Sequence, residues 1–410
     1  MLESVRPLLL EERRLAPGVF LVLLATLLAV HIGAPWRYMH DDNGRRYSSY
    51  ARSHLTLGLS TTHGQDVFYN PQEHTLKPYG RHPPALGLLL AAWFALWRTS
   101  NPLAARVLPA LFHLLSAALV LGLIRQDYPR TPAILACLAL AVVPMSSFFG
   151  KLVNFEPVVL PFFILVVTTY WRWAENPGIG SPFLPLAIGA VAALLDWMIL
   201  LALLTIVADA GWRFLQDQGR RFVWFSLLGS FVGLAAFAGI LAWLATGPAG
   251  LHALAHGTTV RTHLKEGWTT ARWTRALIRY NHWYFTRPLH YASLVMPLLL
   301  MDEVRRLGRL SDRTRLIALF GSAGLLPVLF FPGGSYVHAY WQFYLLPYAV
   351  LSFAYVLDAA SHHLRPRLWR WVSLGVGVWL LAESAYILIT LYETPDVFVS
   401  KTLAEWESYL

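Results

Sequence analysis

Runs of roughly 20 apolar residues recur along the whole chain, and this recurrence limits its fold more than any other feature. A segment of that length inside a bilayer core must satisfy its own backbone groups, and a helix does so within one segment. The runs are 18–35, 103–124, 132–149, 156–174, 222–246, 288–304, 316–332, 338–358 and 371–391. The stretch 181–211 is too long for one crossing and is broken by Asp196, so it reads as two short spans meeting at that acid. The stretch 84–97, between Pro83 and Arg98, is too short to cross and reads as a re-entrant or in-plane helix. The expectation is an all-α polytopic membrane protein with about 11 transmembrane helices. It forms a single integral membrane domain over 1–410, with no soluble C-terminal domain.

Composition excludes an ordinary soluble domain: 56% of the 410 residues are hydrophobic and only 14% are charged. A net charge of +10 would suit nucleic acid if the cations were clustered. They are instead spread through short loops between apolar runs, so no nucleic-acid partner is expected. The single cysteine, Cys137, lies within an apolar run, which rules out an intramolecular disulfide.

Lys and Arg accumulate in short cytoplasmic loops. With the N-terminus inside and 84–97 left uncrossed, the Arg residues at 125, 130, 213, 220 and 221 fall inside. So do Arg305, Arg306, Arg309, Arg313 and Arg315, and then Arg365, Arg367 and Arg370. The short outside connection 150–155 holds only Lys151. A crossing at 84–97 would invert every later loop and turn the Arg-rich 302–315 segment outward. This topology places two long loops outside, 36–102 and 247–287. Of the 15 His, only His113, His362 and His363 lie away from outside segments, so potentially reactive groups concentrate on one side.

Asp41 and Asp42 lead the first long loop. A carboxylate there is a natural general base for an acceptor hydroxyl, and an adjacent pair can hold a divalent cation; the plainer alternative is a solvated helix–loop junction. Glu156 precedes Pro157 at the outer start of a span. It reads either as an acid stabilised by a helix N-terminus or as a second active-site acid. Asp196, within an apolar run, either lines a cavity or sits at the outer bend of a hairpin. The second outer loop carries Arg261, His263, Lys265 and several further Arg with interleaved aromatics. It suggests amphipathic helices on the membrane surface, whose Arg residues fork onto a phosphate headgroup or rest on anionic lipid. His252 and His256 have metal-binding spacing, a weak signal without a third ligand. The segment from Phe331 to Tyr344 reads mainly as an aromatic belt, with His338 and Tyr340 as candidate headgroup contacts. Acids at the water–lipid boundary followed by a long outer loop suit chemistry on a lipid-borne substrate.

Together these strings resemble the GT-C glycosyltransferases, in the branch of protein O-mannosyltransferases and aminoarabinose transferases. The specific resemblance lies in His40-Asp41-Asp42-Asn43-Gly44, Tyr47 to Arg52, and Tyr79-Gly80-Arg81-His82-Pro83-Pro84. It extends to Asn154-Phe155-Glu156-Pro157, Leu195-Asp196-Trp197 and His338-Ala339-Tyr340. The chain departs from the branch in having Asp42 where Glu is frequent, and His82 where Lys is frequent.

The resemblance implies a membrane glycosyltransferase that moves a sugar from a polyprenyl-phosphate donor to a hydroxyl on a glycan, lipid or protein acceptor. It implies a bacterial inner-membrane enzyme with a cytoplasmic N-terminus and a periplasmic active site. Asp41, Asp42 and Glu156 are the expected catalytic acids. The expected substrate contacts are His40, Arg45, Tyr47, Arg52, Arg81, His82, Asp196, Arg261, His263, His338 and Tyr340. No resident cofactor is expected beyond a divalent cation, which stays open, with Asp41 and Asp42 as its ligands. Two rivals stand beside this reading. A transporter or flippase of lipid-linked sugar needs a polar path across the whole membrane, whereas the inner half here is apolar. An O-antigen polymerase or ligase would use a pyrophosphate-linked donor.

Overall fold

The computed structural model describes residues 6–70, 75–79, 82–176, 178, 180–216, 221–263 and 269–394. Among the residues singled out above, Arg81, Arg220, Lys265 and the tail beyond 394 lie outside the described residues. The chain begins with α1 (Arg6–Ala29), α2 (Asp41–Leu57) and α3 (Leu59–Thr62). A two-stranded antiparallel ribbon follows, β1 (Val67–Asn70) and β2 (Thr75–Pro78), with Val67 opposite Pro78, and then α4 (Ala85–Trp97). Next come α5 (Pro102–Asp127), α6 (Arg130–Val142), α7 (Pro144–Ser147) and α8 (Phe155–Glu175). The middle of the chain forms α9 (Leu184–Ala193), α10 (Ile199–Gln216), α11 (Arg221–Thr262) and α12 (Thr270–Tyr284). The last part forms α13 (Thr286–Leu307), α14 (Asp312–Phe330), α15 (Pro332–Val337), a 3-10 stretch Ala339–Leu345, α16 (Leu346–His363) and α17 (Pro366–Glu393).

Helices stand over every apolar run expected to cross. Among the described residues, six are long and apolar enough to do so: α5, α8, α10, α14, α17, and the 3-10 stretch continued by α16. A seventh results if α6 and the following Pro144–Lys151, bent by 47°, form one span. Gly18–Ala29, Ala85–Trp97, Leu184–Ala193 and Phe222–Phe237 are shorter apolar helices, so length and composition do not reach the expected 11. The protein is an integral, multi-pass membrane protein.

The centre is α8, which is buried along most of its length and packs on α5, α9, α10 and α14. Phe163 of α8 lies 6.0 Å from Phe320 of α14 and 5.3 Å from Tyr344, ring centre to ring centre. The start of α5 shows why helices begin where they do. Asn101 Oδ1 accepts from Ala104 N at 2.9 Å, and Pro102 occupies the first turn, where its missing N–H costs nothing. The 13 residues of α4 rise about 20 Å at about 1.5 Å each, against a hydrocarbon core of about 30 Å. This helix lies on α2 and buries Leu86, Leu90 and Phe94.

A buried ion pair fixes the entry into the first loop. His40 turns the chain through a left-handed φ of 65°, and Asp41 opens α2. Asp41 Oδ2 accepts from Arg37 N at 3.0 Å, Tyr38 N at 2.8 Å and Arg106 Nη2 at 3.0 Å. Arg106, on α5, also donates to the carbonyls of Ile32 and Ala34 and lies over the Trp36 ring. One arginine therefore ties the α1–α2 connection to the bundle.

Candidate active site

The start of α2, the turn before α4, the start of α8, the end of α11 and the α15 region converge on one cavity of about 290 Å³. On α2 the wall is Asn43, Arg46 and Tyr47, a helical spacing that presents one face. Phe155 and Glu156 come from the first turn of α8, Arg261 from the last turn of α11, and His338 and Tyr340 from the segment after α15.

Glu156 is 3% exposed, and its Oε2 is buried with no hydrogen-bond partner among the described residues. An unmatched buried carboxyl oxygen is costly in a purely structural setting, and this one lines a cavity. Arg261 and Asp196 lie within electrostatic reach of it.

His82 joins the two sides. Its ring stacks on Phe155 with centroids 4.4 Å apart. Its Nε2 lies 2.9 Å from Arg261 Nη2, and its Nδ1 lies 3.5 Å from Asp196 Oδ1. Since an arginine N–H only donates, Nε2 accepts and Nδ1 carries the proton toward Asp196. Tyr344 Oη donates to the other oxygen of Asp196 at 3.1 Å. Asp196 thus backs His82 from beneath the cavity.

A second chain of hydrogen bonds crosses the opposite wall. Asn43 Nδ2 donates to Tyr340 Oη at 3.0 Å, and Tyr340 Oη in turn lies 2.9 Å from His338 Nδ1. The His40 ring meets Tyr340 edge-on at 4.8 Å. Burial, with the Arg261 guanidinium adding to it, lowers the His338 pKa to about 3. A neutral imidazole accepts from Tyr340. Burial likewise pushes the Tyr47 phenol well above its usual value, which keeps it a neutral donor.

The two leading acids separate. Asp41 does not line the cavity; its Oδ2 is occupied by Arg106 and two backbone N–H groups. Burial raises its pKa, and the Arg106 guanidinium pulls against that rise. Asp42 is one-quarter exposed at the rim, with Oδ2 3.9 Å from Arg46 Nη2 and Tyr340 within electrostatic reach. Arg45 is buried but lies off the lining face, and Arg52 also lies outside the cavity. His263 is exposed, with its ring nitrogen 2.9 Å from Thr259 O at the end of α11.

Among the described residues, no group of three or more His, Cys, Asp or Glu is placed to hold a metal ion. Asp41 Oδ2 already accepts from three donors. Of His252 and His256, only His256 lines the cavity.

Twelve lining residues fell outside the sequence-based set, among them Asn43, Arg46, Tyr79, Asn154, His256 and Trp341. For Asn43 and Arg46 the signal was present. Helical spacing forward from Asn43 selects positions 46 and 47 and passes over 45. For His256 and Trp341 no local pattern distinguishes a lining residue from a lipid-facing one.

The fold is similar to that of solved structures of ArnT and of the archaeal oligosaccharyltransferase AglB. Superposition on solved structures gives a TM-score of 0.60 with ArnT from Cupriavidus metallidurans bound to undecaprenyl phosphate. That match has 14% identity and covers 92% of this chain and 75% of ArnT. The archaeal oligosaccharyltransferase AglB from Archaeoglobus fulgidus, in complex with an inhibitory peptide and a dolichol-phosphate, gives a TM-score of 0.53 at 14% identity. This chain spans 55% of AglB's length, with 92% of its own residues covered. No protein-family model matches the chain, and no curated protein matches it in sequence.

Proposed function

We propose that this protein is a membrane glycosyltransferase that transfers a sugar from a polyprenyl-phosphate donor to an acceptor hydroxyl. The observation that carries the reading is the pairing, in one cavity, of a buried unmatched carboxyl oxygen on Glu156 with the guanidinium groups of Arg46 and Arg261. A base and a phosphate-binding pair are what such a transfer needs. Bound undecaprenyl phosphate in ArnT and dolichol-phosphate in AglB support the choice of donor.

In this mechanism the lipid phosphate lies against Arg46 and Arg261, which match phosphate oxygens in geometry and charge. Glu156 takes the proton of the acceptor hydroxyl, with Asp42 at the rim as the second acid. The acceptor oxygen bonds to the anomeric carbon as the bond from that carbon to the phosphate oxygen breaks, and polyprenyl phosphate leaves with the electron pair. The cationic pair stabilises the charge that develops on the leaving group. His82, held by Asp196, keeps Arg261 aimed into the cavity. The tyrosine–histidine chain fixes Tyr340 as a neutral hydrogen-bonding wall. Asp41 acts through Arg106 as a positioning residue for the start of α2. The cavity faces the periplasm of a bacterial inner membrane, following the loop charges, with α4 as a re-entrant helix beside it.

The test is transfer from radiolabelled polyprenyl-phosphate sugars by purified protein in detergent, wild type beside Glu156→Gln. Loss of a general base lowers the rate about 10²- to 10⁴-fold. Because glutamine matches glutamate in volume and replaces a carboxyl whose Oε2 has no partner among the described residues, the melting temperature is expected to hold. A folded Glu156→Gln protein with wild-type transfer overturns the assignment of the base. No transfer from any donor by wild type overturns the enzyme reading.

A further inference from the structure

A second cleft opens between α12 and α17, with a volume of about 530 Å³. Its walls carry Arg275, Arg279 and Arg287, with Trp283 and Ile278 beside them, and Glu383 of α17 is the only carboxylate among its described lining residues. That carboxylate is already engaged: its two oxygens lie 3.5 Å from Arg287 Nε and 3.2 Å from Arg287 N. Arg275 and Arg279 sit four residues apart on one face of α12, and neither has an ion pair among the described residues. Like charges at that spacing repel until an anion lies between them.

The position in the fold narrows the anion. The opposite face of α12 holds the catalytic end of the bundle, through Trp273 Nε1 to Ser335 Oγ at 3.0 Å and Tyr280 Oη to Tyr336 O at 2.8 Å. The other wall, α17, is a membrane-length helix with only 17% of its apolar window buried, and it exposes Leu374, Val378 and Tyr386. Two arginines without an ion pair among the described residues therefore stand beside the second half of an exposed apolar helix, with Trp283 and Tyr386 in the same cleft. We infer that this cleft binds the phosphate headgroup of an anionic membrane phospholipid, with the acyl chains along α17. The inference is independent of the reaction proposed for the other cavity.

The experiment titrates the full-length protein in zwitterionic detergent with phosphatidylglycerol, phosphatidylcholine and inorganic phosphate, reading affinity and melting temperature. Phosphatidylglycerol is expected to bind and raise the melting temperature, while phosphatidylcholine and inorganic phosphate at equal concentration do neither. Arg275→Gln/Arg279→Gln is expected to weaken phosphatidylglycerol binding about 30-fold, at about 1 kcal/mol for each arginine near an anionic surface. Arg272→Gln, on the same helix but outside the cleft, leaves binding unchanged. Both altered positions are exposed, so folding is retained, and a circular dichroism spectrum confirms it. Unchanged phosphatidylglycerol affinity in the folded double variant overturns the site. Equal binding of inorganic phosphate overturns the lipid as its occupant.

Discussion

Arg261 Nη2 and His82 Nε2 lie 2.9 Å apart, joining the last turn of α11 to the turn that leads into α4. The contact spans 179 residues. An arginine at a helix end has many rotamers, and His82, itself oriented by Asp196, removes most of them. His82→Ala therefore acts on the donor phosphate through Arg261. It is expected to lower kcat/KM for transfer about 10²-fold, the scale for loss of one preorganised donor. Arg261→Ala is expected to cost at least as much, and the double variant little more than either alone. A double-mutant cycle on purified protein checks the coupling; additive losses would show that the two side chains act separately.

Asp41 and Asp42 are adjacent in sequence and opposite in role. Asp41 is 5% exposed and paired with Arg106, which is itself 2% exposed. Removing one charge from such a pair strands the other, at about 3–5 kcal/mol. Asp41→Asn is therefore expected to lower the melting temperature markedly. Asp42→Asn loses only a long, partly exposed contact to Arg46, on the order of 1 kcal/mol or less. Its expected defect is in turnover at nearly native stability. Differential scanning fluorimetry beside the transfer assay separates the two, and equal melting temperatures would remove Asp41 from its anchoring role.

Much of this architecture was legible in the sequence because bilayer physics leaves few options. Each long apolar run became a helix, and the 14-residue stretch 84–97 became the short helix α4. The candidate site was legible where polar residues interrupt apolar sequence, since burying Glu156, Asp196 or His82 without purpose is costly. It was illegible where choice depends on direction around a helix already full of polar groups. In α2, Arg45, Arg46 and Arg52 look alike as letters, and only the helical face separates Arg46 from the others. The same holds for Asp41, whose partner Arg106 sits 65 residues away within a helix that reads as a plain membrane span.

His338 gives the fold a pH dependence whose sign follows from its burial. Its pKa falls from the ordinary 6.5 to about 3, so between these values the folded protein binds fewer protons than the unfolded chain. The contribution is intact above about pH 6.5 and is lost as pH falls toward 3. The expected slope is at most about 1.4 kcal/mol per pH unit within that window. His338→Gln keeps an acceptor for Tyr340 but does not titrate, so its stability is expected to fall less steeply on acidification. Melting curves of both proteins from pH 8 to pH 4.5 test this, and parallel curves would show that His338 does not carry the acid limb.

Gly333 offers a way to move Arg261 without altering any polar group. A Cβ built at this position overlaps His263 O and lies 2.8 Å from Val260 O and 3.0 Å from Arg261 O. These are backbone atoms at the end of α11, which cannot swing aside as a side chain can. Gly333→Ala must therefore push α15 and the end of α11 apart, and with them the guanidinium that reaches His82. A misplacement of about 1 Å at a positioned group costs on the order of 10²-fold in rate. The expected result is a loss of that size in transfer, with donor binding weakened and the overall helix content unchanged. Gly375→Ala, at a glycine on α17 with open space around it, is the matched control and leaves transfer intact. If Gly333→Ala transfers sugar at the wild-type rate, close approach of α15 to α11 is not what sets Arg261 in the cavity.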